Sequence, residues 1–165
     1  SRLMNIYTRN LAEYSCYCGQ ILLTKDDITD KLTRHNITNT IEALLERRII
    51  PIINENDSVS TTEIYHNGTF GDNDTLSSHV ACVSNADLLI ILSDIDGFYD
   101  ANPRENVNAH RIPYVEKITD EMMAAAEGAG SKLGTGGMFT KMTAMQKVTA
   151  NGINGVIIFI IKITA

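Results

Sequence analysis

The sequence lacks long apolar runs and is poor in cysteines and basic residues, and each shortage excludes a class of protein. The longest apolar run, 156–161, is broken by Lys162 and is far shorter than the roughly 18 residues of a membrane-spanning helix. The three cysteines are an odd number, and a chain of this length does not need disulfides to be stable, so the composition favours a reducing cytoplasm. Fourteen basic against twenty acidic residues give a net charge of -6, which argues against a nucleic-acid partner. No secretory signal is visible in residues 1–17.

What remains is the pattern of an α/β protein. A length of 165 residues predicts one domain over residues 1–165. Short apolar runs predict buried strands at 20–23, 49–53, 88–92 and 156–161. Helical periodicity predicts helices at 3–11, 36–48, 72–84, 119–127 and 137–151. Alternating strands and helices predict a mostly parallel sheet with helices on both faces, which is a three-layer sandwich.

A glycine-rich turn leads directly into the last predicted helix. It comprises Thr135, Gly136, Gly137, Met138, Phe139, Thr140 and Lys141. Glycines let backbone N–H groups approach an oxyanion, and a helix start adds unpaired donors and a positive dipole end. Lys141 lies one turn along, where its ammonium can reach the same phosphate. The alternative is a flexible linker that ends at a helix start, and the Walker spacing is absent.

Two clusters of acidic and amide side chains stand near a strand end and a helix start. Asn54, Glu55, Asn56 and Asp57 follow the strand predicted at 49–53, and such side chains can hold the ammonium and carboxylate of an amino acid. The alternative there is an Asx-rich turn. The second cluster, at 71–74, opens the helix 72–84, where Asp72 is expected as a cap.

Other polar residues divide into one further candidate and several poor ones. Ser93 and Asp94 close the strand 88–92, where ligands of a parallel sheet bind, although a turn would explain them equally well. Cys16 and Cys18 lack the paired ligands of a zinc site. The four histidines are scattered and do not suggest a hydrolase triad. Methionines at 122, 123, 138, 142 and 145 are expected mainly in the core.

Taken in order, the motifs at 51–57, 71–74, 92–97 and 134–141 resemble the glutamate-phosphorylating branch of the amino acid kinase family. The resemblance covers about residues 3–155. It implies transfer of the γ-phosphoryl of ATP, with Mg²⁺, to the side-chain carboxylate of L-glutamate. By the family pattern Lys141 is catalytic and Asp74 organises the catalytic lysines, while Asn54, Asp57 and Asn73 bind glutamate. The ATP site would be lined by Ser93, Asp94 and the residues from Thr135 to Lys141.

The resemblance also implies assembly as a dimer or tetramer and a response to proline. The family's first strand, with a further lysine and a Gly-Ser phosphate loop, has no counterpart here, nor does its C-terminal end. We therefore expect a chain truncated at both ends and inactive by itself. Two other functions remain open: another amino acid kinase, acting on acetylglutamate, aspartate or a nucleotide, and a noncatalytic nucleotide-binding fragment.

Overall fold

The chain forms two compact units, Ser1–Phe70 and Gly71–Ala165. The computed structural model describes residues 2–59, 72–94, 97–101, 106–128 and 137–160. Helices alternate with strands in both units, and each unit contains one parallel strand pair. The predicted α/β class is therefore confirmed.

The described part of the first unit, residues 2–59, contains three helices and two parallel strands. Its elements are α1 (Arg2–Ala12), β1 (Tyr17–Leu23), α2 (Lys25–Thr29), α3 (Lys31–Glu46) and β2 (Ile49–Glu55). The register of the strands runs from Tyr17 opposite Ile49 to Leu23 opposite Glu55. Apolar side chains from three of these elements are buried: Leu23, Ile28, Ile37 and Ile41.

Polar caps set where α2 and α3 begin. Thr24 and Asp27 form a capping box at the start of α2, since the Thr24 backbone N–H donates to Asp27 and the Asp27 backbone N–H donates to Thr24 Oγ1. Asp30 then caps α3 by accepting from the Thr33 backbone N–H at 2.8 Å. The helix predicted at 36–48 therefore starts five residues earlier, because a polar cap and not the apolar stripe decides its first residue.

Within the described residues of the second unit there are three helices, a parallel strand pair and a short antiparallel pair. Its elements are α4 (Asn73–Val83), β3 (Leu88–Ser93), β4 (Phe98–Tyr99), β5 (Arg111–Ile112), α5 (Asp120–Gly128), α6 (Met138–Ala150) and β6 (Asn154–Phe159). Strands β3 and β6 are parallel, with Leu88 opposite Asn154 and Ser93 opposite Phe159. The antiparallel pair β4–β5 lies in the turn-rich segment 94–113 and was not predicted.

Among the described residues of this unit, two apolar clusters are buried. The first joins α4, α6 and β3, and its buried members are Ala81, Leu89, Ile91, Ala144, Met145, Val148 and Ile153. The second joins β4, α5 and the start of α6, and its buried members are Phe98, Ala126, Met138 and Met142. The methionines at 138, 142 and 145 are thus core residues, as predicted, and those at 122 and 123 pack against the second cluster.

Most predicted boundaries agree with the structure to within three residues. Helix α6 differs from its prediction by one residue at each end, and Gly152 follows it with a φ of 76°, a left-handed conformation that suits glycine. Strand β2 extends two residues beyond its prediction, because its backbone continues to pair with Leu22 and Leu23. Asn54 therefore lies inside the strand and not after it. No helix of the described residues is both long and apolar enough to cross a membrane.

Candidate active site

A buried ion pair connects the first turns of α4 and α6. Lys141 Nζ lies 3.0 Å from Asp74 Oδ2, and only 10% of the Lys141 side chain and 13% of the Asp74 side chain are exposed. Removing two charges from water is costly unless they are paired with good geometry. A covered ammonium interacts strongly with any anion that reaches it, because little water screens the charge. The pair is therefore the first candidate for chemistry.

The start of α4 explains why the aspartate at this position is stable. Asp72 is the N-cap, and its Oδ1 accepts from the Thr75 backbone N–H at 2.7 Å. Asp74 is the second residue of the helix, where the positive end of the helix dipole favours a carboxylate. Capping, the role expected of Asp72, is confirmed. Because Asp72 is the cap, the Asp74 side chain is not needed for capping and contacts Lys141 of α6.

Thr140 adds a hydroxyl to the same carboxylate. Its Oγ1 lies 2.8 Å from Asp74 Oδ2 and also 2.8 Å from the Gly137 carbonyl oxygen. A hydroxyl has one hydrogen to donate, so the two acceptors share it. Two consecutive residues of α6 thus meet one oxygen of Asp74. Sequence reasoning assigned Thr140 to the ATP site and did not anticipate this contact.

The sequence predicts an anion site at the start of α6. Gly137 is the N-cap residue and makes no side-chain capping hydrogen bond. Phe139 is exposed, whereas the Met138 side chain is buried in the second apolar cluster. Any contact of Met138 with a nucleotide would therefore come from its backbone. Thr135 and Gly136 lie outside the described residues.

Ser93 and Asp94 stand at the carboxyl end of β3. Ser93 is buried, and its carbonyl oxygen accepts from the Ile160 backbone N–H at 2.9 Å. Asp94 follows it and is exposed. The predicted position after a strand of a parallel pair is therefore correct, and the nucleotide-binding role of both residues stays a prediction.

The cluster 54–57 lies in the first unit, at the end of β2. Asn56 accounts for the turn there: its backbone N–H donates to the Leu23 carbonyl oxygen at 2.9 Å, and its Oδ1 accepts from the Ser58 hydroxyl at 2.6 Å. Asn54 and Asp57 are exposed. The Asx-turn interpretation thus explains Asn56 and leaves the side chains of Asn54 and Asp57 available for a ligand.

Asn73, the third predicted glutamate-binding residue, belongs to the second unit. It is the first residue of α4 and is exposed. It stands between the capping Asp72 and the lysine-paired Asp74 in the chain. Its role in binding glutamate stays a prediction.

A protein metal centre finds no support among the described residues. They contain no group of three or more histidine, cysteine, aspartate or glutamate side chains that could hold an ion. Cys16, Cys18 and Cys82 are free thiols. Cys18 Sγ lies 3.5 Å from Thr8 Oγ1, and the Cys16 thiol donates to the Tyr14 carbonyl oxygen, so the two neighbouring cysteines have separate polar contacts.

The second unit thus combines a parallel α/β arrangement with a covered lysine in the first turn of a helix that follows a glycine. The sequence profile of the amino acid kinase family matches residues 1–159, and the chain belongs to this family. The family resemblance drawn from the motifs is confirmed.

Several relatives are named glutamate 5-kinase. The protein of that name from Clostridium acetobutylicum is 53% identical over 155 residues, which cover 94% of this chain and 57% of the relative. Its counterpart from Clostridium perfringens is 50% identical over 92% of this chain and 56% of the relative. The Listeria welshimeri protein is 48% identical over 96% of this chain and 60% of its own length. The chain thus spans less than two thirds of the length of these relatives.

Proposed function

We propose that this chain is part of a glutamate 5-kinase, which transfers the γ-phosphoryl of ATP to the side-chain carboxylate of L-glutamate. The observation that carries the proposal is the covered Lys141–Asp74 pair at 3.0 Å, located at the start of the helix that follows the glycine-rich segment. The names of the relatives agree with it. The product is an acyl phosphate, the activated acid from which proline synthesis begins.

The chemistry needs charge neutralisation more than it needs a base. A glutamate side chain with a pKa near 4.3 is already ionised at pH 7, so its oxygen can attack without losing a proton. The barrier comes from bringing this anion to a phosphate anion. A preorganised cation at the transferring phosphoryl therefore provides the largest stabilisation. Lys141 is suited to that role because it is positively charged and largely shielded from water.

Asp74 and Thr140 would hold Lys141 in place between turnovers. Asp74 accepts from Lys141 and lies within hydrogen-bond distance of Thr140, so the lysine side chain is constrained before substrate arrives. A constrained cation loses little conformational entropy when it meets the transition state. Asp74 is thus a positioning residue in this mechanism, and Lys141 is the catalytic one.

Both substrates find suitable residues in the chain. The start of α6, from Gly137 to Thr140, would offer backbone donors to phosphate oxygens, with the Lys141 ammonium one turn along. Ser93 and Asp94 would complete the predicted ATP site together with Thr135 and Gly136. Mg²⁺ bound to the nucleotide would neutralise charge on its phosphates. Asn54, Asp57 and Asn73 would bind glutamate.

The proposal extends to the organisation of the protein. Both compact units would belong to one amino acid kinase domain, since the family profile spans them. A cytoplasmic homo-oligomer, dimer or tetramer, and regulation by proline follow from the family resemblance.

The test is a substrate comparison with the full-length kinase. Acyl phosphate is trapped with hydroxylamine in the presence of ATP and Mg²⁺, with L-glutamate, L-aspartate, N-acetyl-L-glutamate or a nucleoside monophosphate as acceptor and ADP release measured in parallel. We expect the reaction with L-glutamate, measured as ADP release and confirmed as hydroxamate, to be at least tenfold faster than with any other acceptor. Each other acceptor would lose at least one charge-assisted contact of about 1.5 kcal/mol, which corresponds to about tenfold. Faster reaction with another acceptor would reassign the substrate. No ADP release with any of them would leave a binding module.

A further inference from the structure

A second polar contact links α4 and α6 further along the two helices. Lys147 Nζ lies 2.8 Å from His79 Nε2 and 3.0 Å from His79 Nδ1. Lysine can only donate, so the acceptor is whichever ring nitrogen carries no proton. Neither residue belongs to the site predicted from the sequence. The sequence assigns no role to the scattered histidines.

The two contacts have almost the same spacing in the sequence. Asp74 and Lys141 are 67 residues apart, and His79 and Lys147 are 68 residues apart. The helices therefore run in the same direction, with the second contact roughly 7 to 9 Å further along both axes.

Apolar packing between these helices is extensive but gives little directional control. Small buried residues of both helices, Ala81 of α4 and Ala144 of α6, belong to one apolar cluster, and small side chains let helices approach closely. Burial of apolar surface is not directional, so it tolerates small sliding or rotation of one helix on the other. A hydrogen bond at each of two separate points restricts both movements.

The surroundings of Lys147 support a specific role for its contact. Burial lowers the pKa of Lys147, and the nearby Cys82 acts in the opposite direction. An ammonium that is partly removed from water needs an acceptor, and a ring nitrogen of His79 lies within hydrogen-bond distance of it. Loss of His79 would thus leave Lys147 without this partner and free to turn outward.

We propose that the His79–Lys147 contact sets the register of α6 on α4 and so positions Lys141 against Asp74. His79 and Lys147 are positioning residues for the reaction and do not touch the substrates. The inference rests on the proposed function of Lys141. It predicts that breaking the contact between His79 and Lys147 lowers kcat strongly and changes the Tm only slightly.

The test uses the full-length kinase with four variants and one control. His79→Phe keeps a ring and loses the acceptor, and Lys147→Met keeps the stem and loses the donor. His79→Gln and Lys147→Arg retain a polar partner. Gln146→Ala, on the exposed side of α6 beside Lys147, is the matched control.

We expect His79→Phe and Lys147→Met to lower kcat about tenfold, because displacements of an ångström or less at a reacting centre have effects of up to about 100-fold. The KM for glutamate should change less than about twofold, and the Tm less than about 5 °C. His79→Gln and Lys147→Arg should recover most of the rate. The double variant should be no slower than the slower single variant, since both substitutions break one contact.

A second measurement does not depend on activity. The rate at which an amine-reactive reagent modifies Lys141, followed by mass spectrometry, reports how well the lysine is held. We expect it to rise several-fold in His79→Phe and Lys147→Met and to stay unchanged in Gln146→Ala.

Each outcome decides between the two ideas. If Lys141→Ala is inactive while His79→Phe and Lys147→Met keep both the wild-type kcat and the wild-type labelling rate, the positioning role is wrong and the proposed function stands. If the full-length kinase makes no acyl phosphate, the proposed function fails, and the labelling rate alone judges the contact. Should Lys147→Met not fold, His79→Phe decides by the same criteria.

Discussion

Lys141 and Asp74 meet at 3.0 Å although 67 residues separate them, and Thr140 approaches the same Asp74 oxygen at 2.8 Å. One carboxylate oxygen thus gathers a lysine and a hydroxyl from the first turn of a helix. The N-cap residue Asp72 fixes where α4 begins, and Asp74 is therefore in the first turn of the helix. The mechanism depends on this relationship, and the first two predictions test it.

Lys141→Ala in the full-length kinase should lower kcat by about 10² to 10³, because one preorganised charge donor at a transition state has an effect of that size. The KM for glutamate should change little, since Lys141 interacts with charge that grows on the phosphoryl group. Steady-state hydroxamate assays measure both constants. Lys117→Ala, which removes an exposed lysine of the same unit, is the control. An unchanged kcat in Lys141→Ala would reduce the lysine to a structural role.

Thr140→Val should lower kcat by roughly 10- to 100-fold, which corresponds to a hydrogen bond to a charged group of about 1.5 to 3 kcal/mol. Thr140→Ser keeps the hydroxyl and should retain the rate. The pattern of constants distinguishes the roles of the hydroxyl. A fall in kcat indicates the contact with Asp74, and a rise in the KM for ATP indicates the ATP-binding role that the sequence predicts. A loss of stability alone would point to the Gly137 carbonyl as the only partner that matters.

Asp57→Ala should weaken glutamate binding by one to two orders of magnitude and leave the Kd for ATP nearly unchanged. The reason is the loss of a charge-assisted hydrogen bond from the substrate ammonium, which contributes roughly 1.5 to 3 kcal/mol. Calorimetric titration with each ligand measures the two affinities. Glu46→Ala removes an exposed carboxylate at the end of α3 and serves as the control. If both affinities fall together, Asp57 is a turn residue and the glutamate pocket lies elsewhere.

Asp30→Ala should destabilise the protein at pH 7 by an amount that becomes smaller in acid. Hydrogen bonds from the Thr33 backbone N–H and hydroxyl lower the pKa of Asp30 below its usual 3.8. A carboxyl whose pKa falls on folding contributes stability that is fully present above the usual value and is lost as the pH falls through the folded value. Urea unfolding of wild type and Asp30→Ala at pH 7 and across the acid range tests this. Asp30→Asn retains a cap without a titrating group, so its stability relative to Asp30→Ala should not vary with pH in this range.

Gly155→Ala should destabilise the protein by about 1 to 3 kcal/mol, the usual cost of overpacking. A Cβ at Gly155 of β6 would overlap Met145 Sδ of α6, and Met145 is buried. Gly19→Ala is the matched control, because a Cβ there would lie 3.5 Å from Leu44 Cδ2, an ordinary contact distance. Combining Gly155→Ala with Met145→Leu should recover part of the loss. Equal unfolding free energies for Gly155→Ala and wild type would show that Met145 moves aside without cost.

Local sequence by itself determined where most elements lie and which segments carry polar clusters. Some features depend only on residues a few positions away, so spacing predicts them. Examples are the Asp72 cap, the apolar run of β3 and the glycine that follows α6. The family resemblance likewise depends on short motifs. Capping contacts were harder: α3 begins at Lys31 because Asp30 accepts from Thr33, and an apolar stripe carries no information about that start.

Only the tertiary structure decided which of these residues meet. Asp74 joins Lys141 and Thr140, and His79 joins Lys147, because α4 and α6 pack side by side in the same direction. Met138 turned into the core, and Asn54 was drawn into β2 by pairing with Leu22. Each of these outcomes depends on partners distant in the chain, and distance in the chain is what periodicity and spacing do not measure. The physical reason is that packing and directional hydrogen bonds between helices select one register among several that the same local sequence allows.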